Sequence, residues 1–266
     1  MATSYREQWK SALVWLESYS ELTETASHCQ EVLMALSFFP WSGNNVSVRD
    51  VTSLLSNHGP ESYLSDLHID SMGKRISTLY QQLKGPRVSK RHIIMSVNLL
   101  GAITTFYGGK HPPTKTGNTL WESLMEIENS IIQGEIDSVG GVYHLPLHWV
   151  SIIFNTQEWS ILYGDPLGEL LPKLERLAFT KWIQHLMYRS KGNTNSNSIS
   201  IQRLPTGYQD DTTSCGLFAL NALDSYYLGS PLLSPDQVSV ALARMDIALH
   251  LLQENMVCIV SCIYCT

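Results

Sequence analysis

The sequence predicts an α+β fold, because a cluster of short strands lies between two groups of amphipathic helices. Apolar residues recur at helical spacing through roughly the first half of the chain. Short β-branched and aromatic runs follow between residues 140 and 165, and helical spacing returns after them. Helices and strands that are segregated in this way are typical of α+β domains. A chain of 266 residues is long enough for one large domain or two small ones.

Each element is predicted from its local pattern. Apolar residues three or four positions apart predict helices over residues 5–19, 28–39, 63–83, 91–107 and 119–133. β-Branched and aromatic residues predict strands over 140–146, 148–155 and 158–165. A helix over 166–188, a strand over 198–205, and helices over 216–228 and 234–254 follow. The helix from Gly216 is apolar on almost every face, so we expect it to be central and buried.

Composition and charge argue against several classes of protein. The formal net charge is -6 and no long basic run occurs, which argues against a nucleic-acid-binding protein. The N-terminal residues interleave charged and apolar side chains, unlike a signal peptide. The most apolar stretch, residues 256–264, is shorter than the ~20 residues of a membrane-spanning helix. We therefore expect a soluble protein of the nucleus or cytoplasm that binds neither nucleic acid nor membrane.

The five cysteines do not have the pattern of a secreted disulfide framework, because their number is odd. Three of them, Cys258, Cys262 and Cys265, lie in the last nine residues. Their spacing resembles part of a metal site, but this apolar stretch lacks a fourth ligand and turn-forming residues. We expect residues 256–266 to be a tail that forms a buried strand, makes a dimer contact or is disordered.

Two of the predicted strands form a hairpin that brings a histidine to an aspartate. A turn centred on Thr156 and Gln157 would pair residues whose numbers sum to 313. In this register His148 lies opposite Asp165 on one face of the sheet, with Cβ atoms ~5 Å apart. A carboxylate that orients an imidazole is part of many nucleophilic sites, although polar residues also meet at strand ends by chance.

A thiol at the start of a buried helix is a candidate nucleophile. Cys215 follows the hydroxyl-bearing residues 212–214, which offer N-cap side chains. The helix dipole favours a thiolate there, and Gly216 allows a close approach by another backbone or by a substrate. The backbone N–H groups and the Gln209 side chain, six residues earlier, are suitable donors to an oxyanion. Taken singly, Cys215 is more typical of an inert buried thiol, and Gln209 of a solvated loop.

Other residues could take the same roles. His144 is a rival base four residues before His148, and on a strand it would point to the same side, but nothing is expected to orient it. Asp210 and Asp211 are rival acids. For these two we expect a solvated loop charge or a contact with a basic substrate.

Together these residues resemble the ubiquitin-like-protein proteases, the SUMO-protease family of adenain-like cysteine peptidases. In that family a His-Trp pair opens a strand, an Asp ends the next strand, and a Gln precedes the nucleophilic Cys by six residues. The matching pieces here are LHWVSIIF, LYGDPLG and QDDTTSCGLF, in the same order. The resemblance implies a central mixed β-sheet with helices on both sides and a catalytic cysteine at the N-terminus of a buried helix.

A second match lies upstream, in residues 46–76. The family's WLND signature is similar to Tyr63-Leu64-Ser65-Asp66 here. In the family this Trp and the Trp after the catalytic His form a narrow tunnel over a Gly-Gly tail. The resemblance therefore implies that Trp149, Tyr63, Asp66 and Gly216 bind the substrate.

The resemblance extends over roughly residues 46–253. It implies an N-terminal helical extension over 1–45, a cysteine peptidase domain over 46–255 and the tail over 256–266. Arg244 lies where the family commonly has an Arg in its last helix, whereas Ser214 replaces the usual Asp before the nucleophile.

The function that the resemblance implies is cleavage after the C-terminal tail of a ubiquitin-like modifier, by a peptidase or isopeptidase. Cys215 would be the nucleophile, His148 the base and Asp165 its orienting acid, while Gln209 would bind the oxyanion. A ubiquitin-like protein or its conjugates would be the partner, and no metal or cofactor is required. Two alternatives are an acyltransferase of the same clan and a catalytically silent module that binds a ubiquitin-like fold.

Overall fold

The computed structural model describes residues 2–20, 23–36, 51–52, 54–55, 63–89, 91–109, 119–192 and 199–264. The chain forms two compact units. The first contains Met1–Ser71, Asp211–Leu217 and Ser234–Thr266, and the second contains Met72–Asp210 and Phe218–Leu233. The boundaries expected from the sequence, at residues 45 and 255, stay predictions. Most of the upstream segment before Tyr63 lies outside the described residues.

The helices confirm most of the predicted ones. In chain order they are α1 (Ala2–Ser20), α2 (Glu24–Leu36), α3 (Asp66–Ser89), α4 (Val97–Gly108), α5 (Thr119–Ile132), α6 (Lys173–Lys191), α7 (Cys215–Leu228) and α8 (Gln237–Tyr264). A kink divides α3 at Gly85, whose φ of 74° lies in the left-handed region.

The first unit is built on long helices, and α2 packs against both α1 and α8. Leu16, Leu33 and Leu251 are fully buried on these three helices. At the start of α2, the Thr23 hydroxyl accepts the Ala26 N–H at 3.1 Å, as an N-cap does. Apolar burial along one stripe of each helix therefore holds this unit together.

The second unit is organised around a mixed sheet of five strands. They are β1 (His92–Ile94), β2 (Ser138–Leu145), β3 (His148–Asn155), β4 (Ser160–Gly164) and β5 (Ile201–Arg203), and they lie side by side in that order. The strands β2, β3 and β4 are antiparallel, whereas β1 and β5 run parallel to their neighbours.

Helices cover both faces of this sheet, as two consecutive glycines of β2 show. A Cβ atom on Gly140 would lie 2.5 Å from the Tyr227 hydroxyl of α7, and one on Gly141 would lie 3.1 Å from Leu100 of α4. Because consecutive strand residues point to opposite faces, α7 and α4 lie on opposite sides of β2. The predicted α+β fold, with a mixed sheet and helices on both sides, is therefore confirmed.

The first strand is one place where the sequence pattern was misleading. The pattern predicts one helix over 91–107, but His92–Ile94 form β1 and α4 begins at Val97. The Met95 N–H donates to the Gly140 carbonyl at 2.8 Å, and the Ser96 hydroxyl then caps α4. The partner strand that selects this extended conformation lies more than forty residues later, so local spacing does not report it.

The helix predicted over 166–188 also begins later than expected. Pro172 precedes the first residue of α6, Lys173, and residues 166–172 form a loop. That loop opens with a turn in which the Gly168 N–H donates to the Asp165 carbonyl at 2.9 Å, and Gly168 has a φ of 77°. A prolyl residue at the boundary and a left-handed glycine four residues before it exclude a continuous helix.

The C-terminal helix is longer than its prediction. It continues to Tyr264, so the strand alternative for residues 256–264 is wrong. The side chains of Cys258 and Cys262, and all of Cys265, lie outside the described residues. Within the part of the chain that the structure describes, no helix is both long and apolar enough to cross a membrane.

Candidate active site

His148 and Asp165 contact each other at the open end of the β3–β4 hairpin. The Nε2 atom of His148 lies 2.9 Å from Oδ1 of Asp165. The Asp165 side chain is 2% exposed and the His148 side chain is 14% exposed. The contact predicted from the sequence is therefore present, and it is largely shielded from water.

The register of the hairpin differs from the predicted one. Ser151 pairs with Gly164, so the numbers of facing residues sum to 315 and not to 313. The four-residue loop 156–159 causes the difference, because Asn155 Oδ1 accepts the backbone N–H groups of Gln157 and Glu158 at 2.9 and 3.0 Å. A shift of two residues leaves every side chain on its original face. His148 and Asp165 consequently still meet, along a diagonal rather than directly opposite.

Three groups hold the Asp165 carboxylate. Its Oδ1 accepts both from His148 and from the Leu167 N–H at 2.8 Å, and its Oδ2 accepts from the Tyr163 hydroxyl at 3.0 Å. Burial in itself raises the pKa of Asp165. The hydrogen bonds from His148, Leu167 and Tyr163, together with the charge of His148, outweigh that effect and hold the pKa below its ordinary value. The carboxylate is therefore ionised and fixed in orientation at neutral pH.

This arrangement determines which imidazole nitrogen can act as a base. Because the bond to Asp165 uses Nε2, that nitrogen carries the proton of the neutral ring, and Nδ1 carries the lone pair. A carboxylate in this position also stabilises the imidazolium that forms when Nδ1 takes a proton. The pair has the geometry of an oriented general base.

Gln209 lies beside the same hairpin end. Its backbone N–H donates to the carbonyl of Pro166, the residue after Asp165, at 2.9 Å. Gln209 is only 3% exposed, so the solvated loop considered from the sequence is wrong. The second unit therefore brings His148, Asp165 and Gln209 to one end of its sheet.

Trp149 lies on the opposite face of β3 from His148. It pairs with His144 of β2, and the two rings contact each other with centroids 4.4 Å apart and planes tilted by 43°. Trp149 is buried, at 3% exposure. His144 consequently points to the other face of the sheet from His148, because the two histidines belong to different strands of a hairpin. The expectation that both point to the same side was wrong.

Cys215 is the first residue of α7 and is 1% exposed. The Leu217 N–H donates to the Ser214 carbonyl at 2.9 Å, which closes the turn that starts the helix. A Cβ atom on Gly216 would lie 3.0 Å from the Leu64 side chain, so this glycine gives room to Leu64. Close packing behind Gly216 therefore fixes the start of α7 within the first unit.

Tyr63 and Asp66 flank Leu64 at the start of α3. Tyr63 is half-buried, and Asp66 is exposed as the first residue of the helix. The Ser65 N–H donates to Nδ1 of the buried His68 at 3.0 Å. This bond satisfies a backbone donor at the start of the helix and gives the segment 63–66 a defined conformation.

Two residues around these groups have contacts that the sequence did not predict. Tyr163 lies on β4, two positions before Asp165, and its hydroxyl donates to the Asp165 carboxylate. The spacing alone does not predict this bond, because the pairing of β3 with β4 must be known first. Asp211, expected to be a solvated charge or a substrate contact, instead accepts the backbone N–H groups of Thr213 and Ser214. In the described ranges no group of three or more His, Cys, Asp or Glu side chains is arranged to hold a metal ion.

Comparison with known proteins assigns the segment that carries these residues. Residues 142–246 match the model of the Ulp1 protease family, C-terminal catalytic domain. This segment belongs to the Ulp1 protease family. It contains His148, Asp165, Gln209 and Cys215. The family resemblance inferred from the sequence is confirmed, and the match indicates a cysteine peptidase.

Solved structures share this fold at low sequence identity. The SUMO protease Ulp1 with a sulfenic acid at its catalytic cysteine has a TM-score of 0.59 and 18% identity, over 88% of this chain and 96% of that one. The Ulp1 protease domain in complex with Smt3, the yeast ortholog of SUMO, has a TM-score of 0.57 and 18% identity, over 88% and 96%. The Ulp1-like SUMO protease catalytic domain of Chaetomium thermophilum has 0.62 and 14%, over 87% and 90%. No curated protein matches the chain.

Proposed function

We propose that this Ulp1-family domain hydrolyses the bond that follows the C-terminal tail of a ubiquitin-like protein, with Cys215 as its nucleophile. The observation that carries the proposal is the buried His148–Asp165 pair, whose Nε2–Oδ1 distance is 2.9 Å. An oriented imidazole of this kind activates a thiol in cysteine peptidases. The substrate class is supported by the fold shared with a protease domain bound to Smt3.

The proposed reaction has two steps. Nδ1 of His148 takes the Cys215 thiol proton, the sulfur forms a bond to the scissile carbonyl carbon, and the C–N bond breaks as the imidazolium protonates the leaving amine. Water, deprotonated by the same imidazole, then attacks the thioester, which releases the carboxylate of the tail and regenerates the thiol. Asp165 orients the imidazole throughout.

The negative oxygen that forms in each step needs donors. We assign this role to the Gln209 side-chain amide and the Cys215 backbone N–H, and loss of one such donor lowers turnover by ~100-fold or more. Burial of Gln209 supports the assignment, because a donor that is shielded from water interacts more strongly with a charge. We further propose that Trp149 and Tyr63 flank the tail of the substrate, with Asp66 and Gly216 beside it, and that the protein acts in the nucleus or cytoplasm.

A panel of ubiquitin-like proteins with C-terminal vinyl sulfone groups tests the proposal. We expect the wild-type protein to form a covalent adduct with at least one member, and Cys215→Ser to form none. Cys29→Ala is the matched control, because Cys29 is also buried and free, and burial raises the pKa of its thiol to about 12. This control should label as the wild type does.

The same panel, prepared as C-terminal amides of a fluorescent amine, measures turnover. We expect His148→Ala and Gln209→Ala each to lower kcat by ~100-fold or more. Adduct formation that persists in Cys215→Ser, or that disappears in Cys29→Ala with the fold retained, would exclude Cys215 as the nucleophile. A wild-type protein that neither labels nor cleaves any member would exclude the substrate class.

A further inference from the structure

The turn that precedes Cys215 is organised by one carboxylate. Oδ1 of Asp211 accepts the N–H groups of Thr213 and Ser214 at 3.0 and 2.8 Å, and Oδ2 accepts the Ser214 hydroxyl at 2.5 Å. Ser214 is completely buried, whereas Asp211 lies at the surface. The direction in which the chain enters α7 at Cys215 consequently depends on these three bonds.

A buried cation approaches the same turn from α8. Arg244 is 6% exposed, and its Nη2 donates to the Ser214 hydroxyl oxygen at 3.3 Å and to Thr213 Oγ1 at 3.4 Å. Burial lowers the pKa of Arg244, while the charges of Asp211 and of an ionised Cys215 raise it. A buried guanidinium requires anionic or polar partners, and the residues just before Cys215 supply them.

The Ser214 hydroxyl connects the two charges in one direction. A hydroxyl has a single proton and two lone pairs. Its proton is donated to Asp211, which leaves the oxygen lone pairs to accept from Arg244. Burial in itself raises the pKa of Asp211, but the bonds from Ser214 and Thr213 and the charge of Arg244 lower it overall. The carboxylate therefore stays ionised at neutral pH and keeps the hydroxyl oriented.

We infer that Asp211, Ser214 and Arg244 are positioning residues that set the placement of Cys215. We call these three residues the Cys215 clamp. The inference rests on the proposed function of Cys215 as nucleophile. It means that Asp211, although it lies at the surface, affects the reaction through the position of Cys215. Leu64 packs against Gly216 and so restricts the position of the helix start. The clamp restricts the backbone conformation of residues 213–215, which precede Gly216.

The clamp predicts a specific kinetic effect. In Asp211→Asn an amide nitrogen replaces Oδ2, so the Ser214 proton loses its acceptor and Arg244 loses a nearby negative charge. The backbone before Cys215 consequently shifts. Displacing a reacting group by ~1 Å costs up to ~100-fold in rate, whereas substrate contacts made elsewhere persist. We therefore expect Asp211→Asn to lower kcat by ~10- to 100-fold with KM changed less than ~3-fold.

Rescue separates positioning from general stability. Asp211→Asn/Ser214→Asp returns a carboxylate directly against Arg244, because the substituted side chain occupies the site of the hydroxyl that Arg244 now contacts. We expect this double variant to recover kcat to within ~5-fold of the wild type. Ser214→Ala breaks the link without adding charge and should match Asp211→Asn. Asp210→Asn is the matched control, because Asp210 is the exposed neighbouring residue.

Two measurements report the result, and the second of them is independent of the substrate assignment. The first is turnover of the fluorogenic amides, and the second is the rate at which iodoacetamide alkylates Cys215, followed by mass spectrometry of its peptide. We expect Asp211→Asn and Ser214→Ala to slow alkylation as well, since a misplaced thiol loses the imidazole that deprotonates it. A clamp that merely stabilised the fold would, when broken, expose the buried sulfur and speed alkylation. Unfolding temperatures of all variants are measured in parallel.

The inference is overturned if Asp211→Asn behaves as Asp210→Asn in both measurements, if alkylation becomes faster, or if neither the double variant nor Ser214→Ala follows the expected order. His148→Ala reports separately on the proposed function. If it alkylates at the wild-type rate and no fluorogenic substrate is cleaved, the proposed function fails. If it is slow in both measurements while the clamp variants match Asp210→Asn, the proposed function stands and the inference alone fails.

Discussion

Tyr163→Phe removes a single oxygen atom beside the candidate base. The Tyr163 hydroxyl donates to Oδ2 of Asp165 at 3.0 Å, and both residues are buried, at 6% and 5% exposure. Burial, followed by the charge of Asp165, raises the pKa of Tyr163 far above its ordinary value. The phenol is therefore neutral at every pH of interest and always available as a donor.

The magnitude follows from the loss of one donor to a buried charge. A hydrogen bond to a charged group contributes ~1.5–3 kcal/mol, so we expect Tyr163→Phe to lower the free energy of unfolding at pH 7 by about that amount. The cost should depend on pH. The folded pKa of Asp165 is lowered, so the stability linked to it is complete above the unfolded carboxyl pKa of ~3.9 and is lost as pH falls through the folded value.

In the variant the folded pKa of Asp165 rises toward its ordinary value, because one of the bonds to the ionised form is gone. Less stability is then left to lose on acidification. The difference between wild type and variant should consequently be largest between pH 5 and 7 and shrink below pH ~4. Urea unfolding at half-unit steps between pH 3.5 and 7.5, followed by far-ultraviolet circular dichroism, measures this difference.

Tyr143→Phe is the matched control. Tyr143 is similarly buried, at 8% exposure, and its hydroxyl donates to the neutral Thr104 Oγ1 at 3.2 Å. We expect a cost of ~1 kcal/mol that does not vary between pH 5 and 3.5. If Tyr163→Phe shows the same small, constant cost as Tyr143→Phe, the Tyr163 hydroxyl does not stabilise an ionised Asp165, and our account of the His148–Asp165 pair is incorrect.

Four other substitutions test local packing and backbone strain, all by urea unfolding. A Cβ atom on Gly207 would lie 2.3 Å from the Leu233 carbonyl oxygen, so Gly207→Ala should lower the free energy of unfolding by ~1–3 kcal/mol. Gly101→Ala, inside α4 with no atom within 4 Å of the added Cβ, should instead raise it by up to ~1 kcal/mol. Equal effects of the two substitutions would contradict the structure. Glu128→Ala should lower the free energy of unfolding by ~3–5 kcal/mol. This fully buried carboxylate accepts from three donors, Tyr107 at 2.6 Å, Trp182 at 2.9 Å and Arg189 at 3.3 Å. A cost below ~1 kcal/mol would show that these three bonds do not stabilise the fold. Leu147→Gly should stabilise the protein by ~1 kcal/mol, because Leu147 has a left-handed φ of 58° and is 84% exposed. A loss of stability would mean that the Leu147 side chain makes a contact that outweighs its backbone strain.

The pairing of His148 with Asp165 shows how far local pattern carries a prediction. Alternation identified both strands, and it placed both side chains on one face even though the register was wrong by two residues. An even error preserves the face, because side chains alternate with a period of two. A register error of one residue would have placed His148 and Asp165 on opposite faces of the sheet. The register is decided by the conformation of the loop, which depends on the Asn155 side chain and on the φ of 54° at Trp159.

The first strand shows where local pattern fails. Residues 92–94, His-Ile-Ile, are compatible with a helix or a strand, and three residues are too few for their periodicity to distinguish the two. Their conformation follows from pairing with Ser138–Gly140, which are distant in the chain. Propensity is weak compared with the hydrogen bonds and burial that a partner strand supplies.

The sequence by itself determined the class of elements, the order of the chemical groups and the family, because spacing and residue type are local properties. Cys215 at a helix start, with Gln209 six residues earlier, could be recognised in this way. Only the tertiary structure decided what surrounds these groups. Gln209 is buried beside Pro166, Tyr163 donates to Asp165, and Asp211 meets Arg244 through Ser214 across thirty residues of chain. Such contacts depend on which surfaces pack together, and packing is a property of the whole fold.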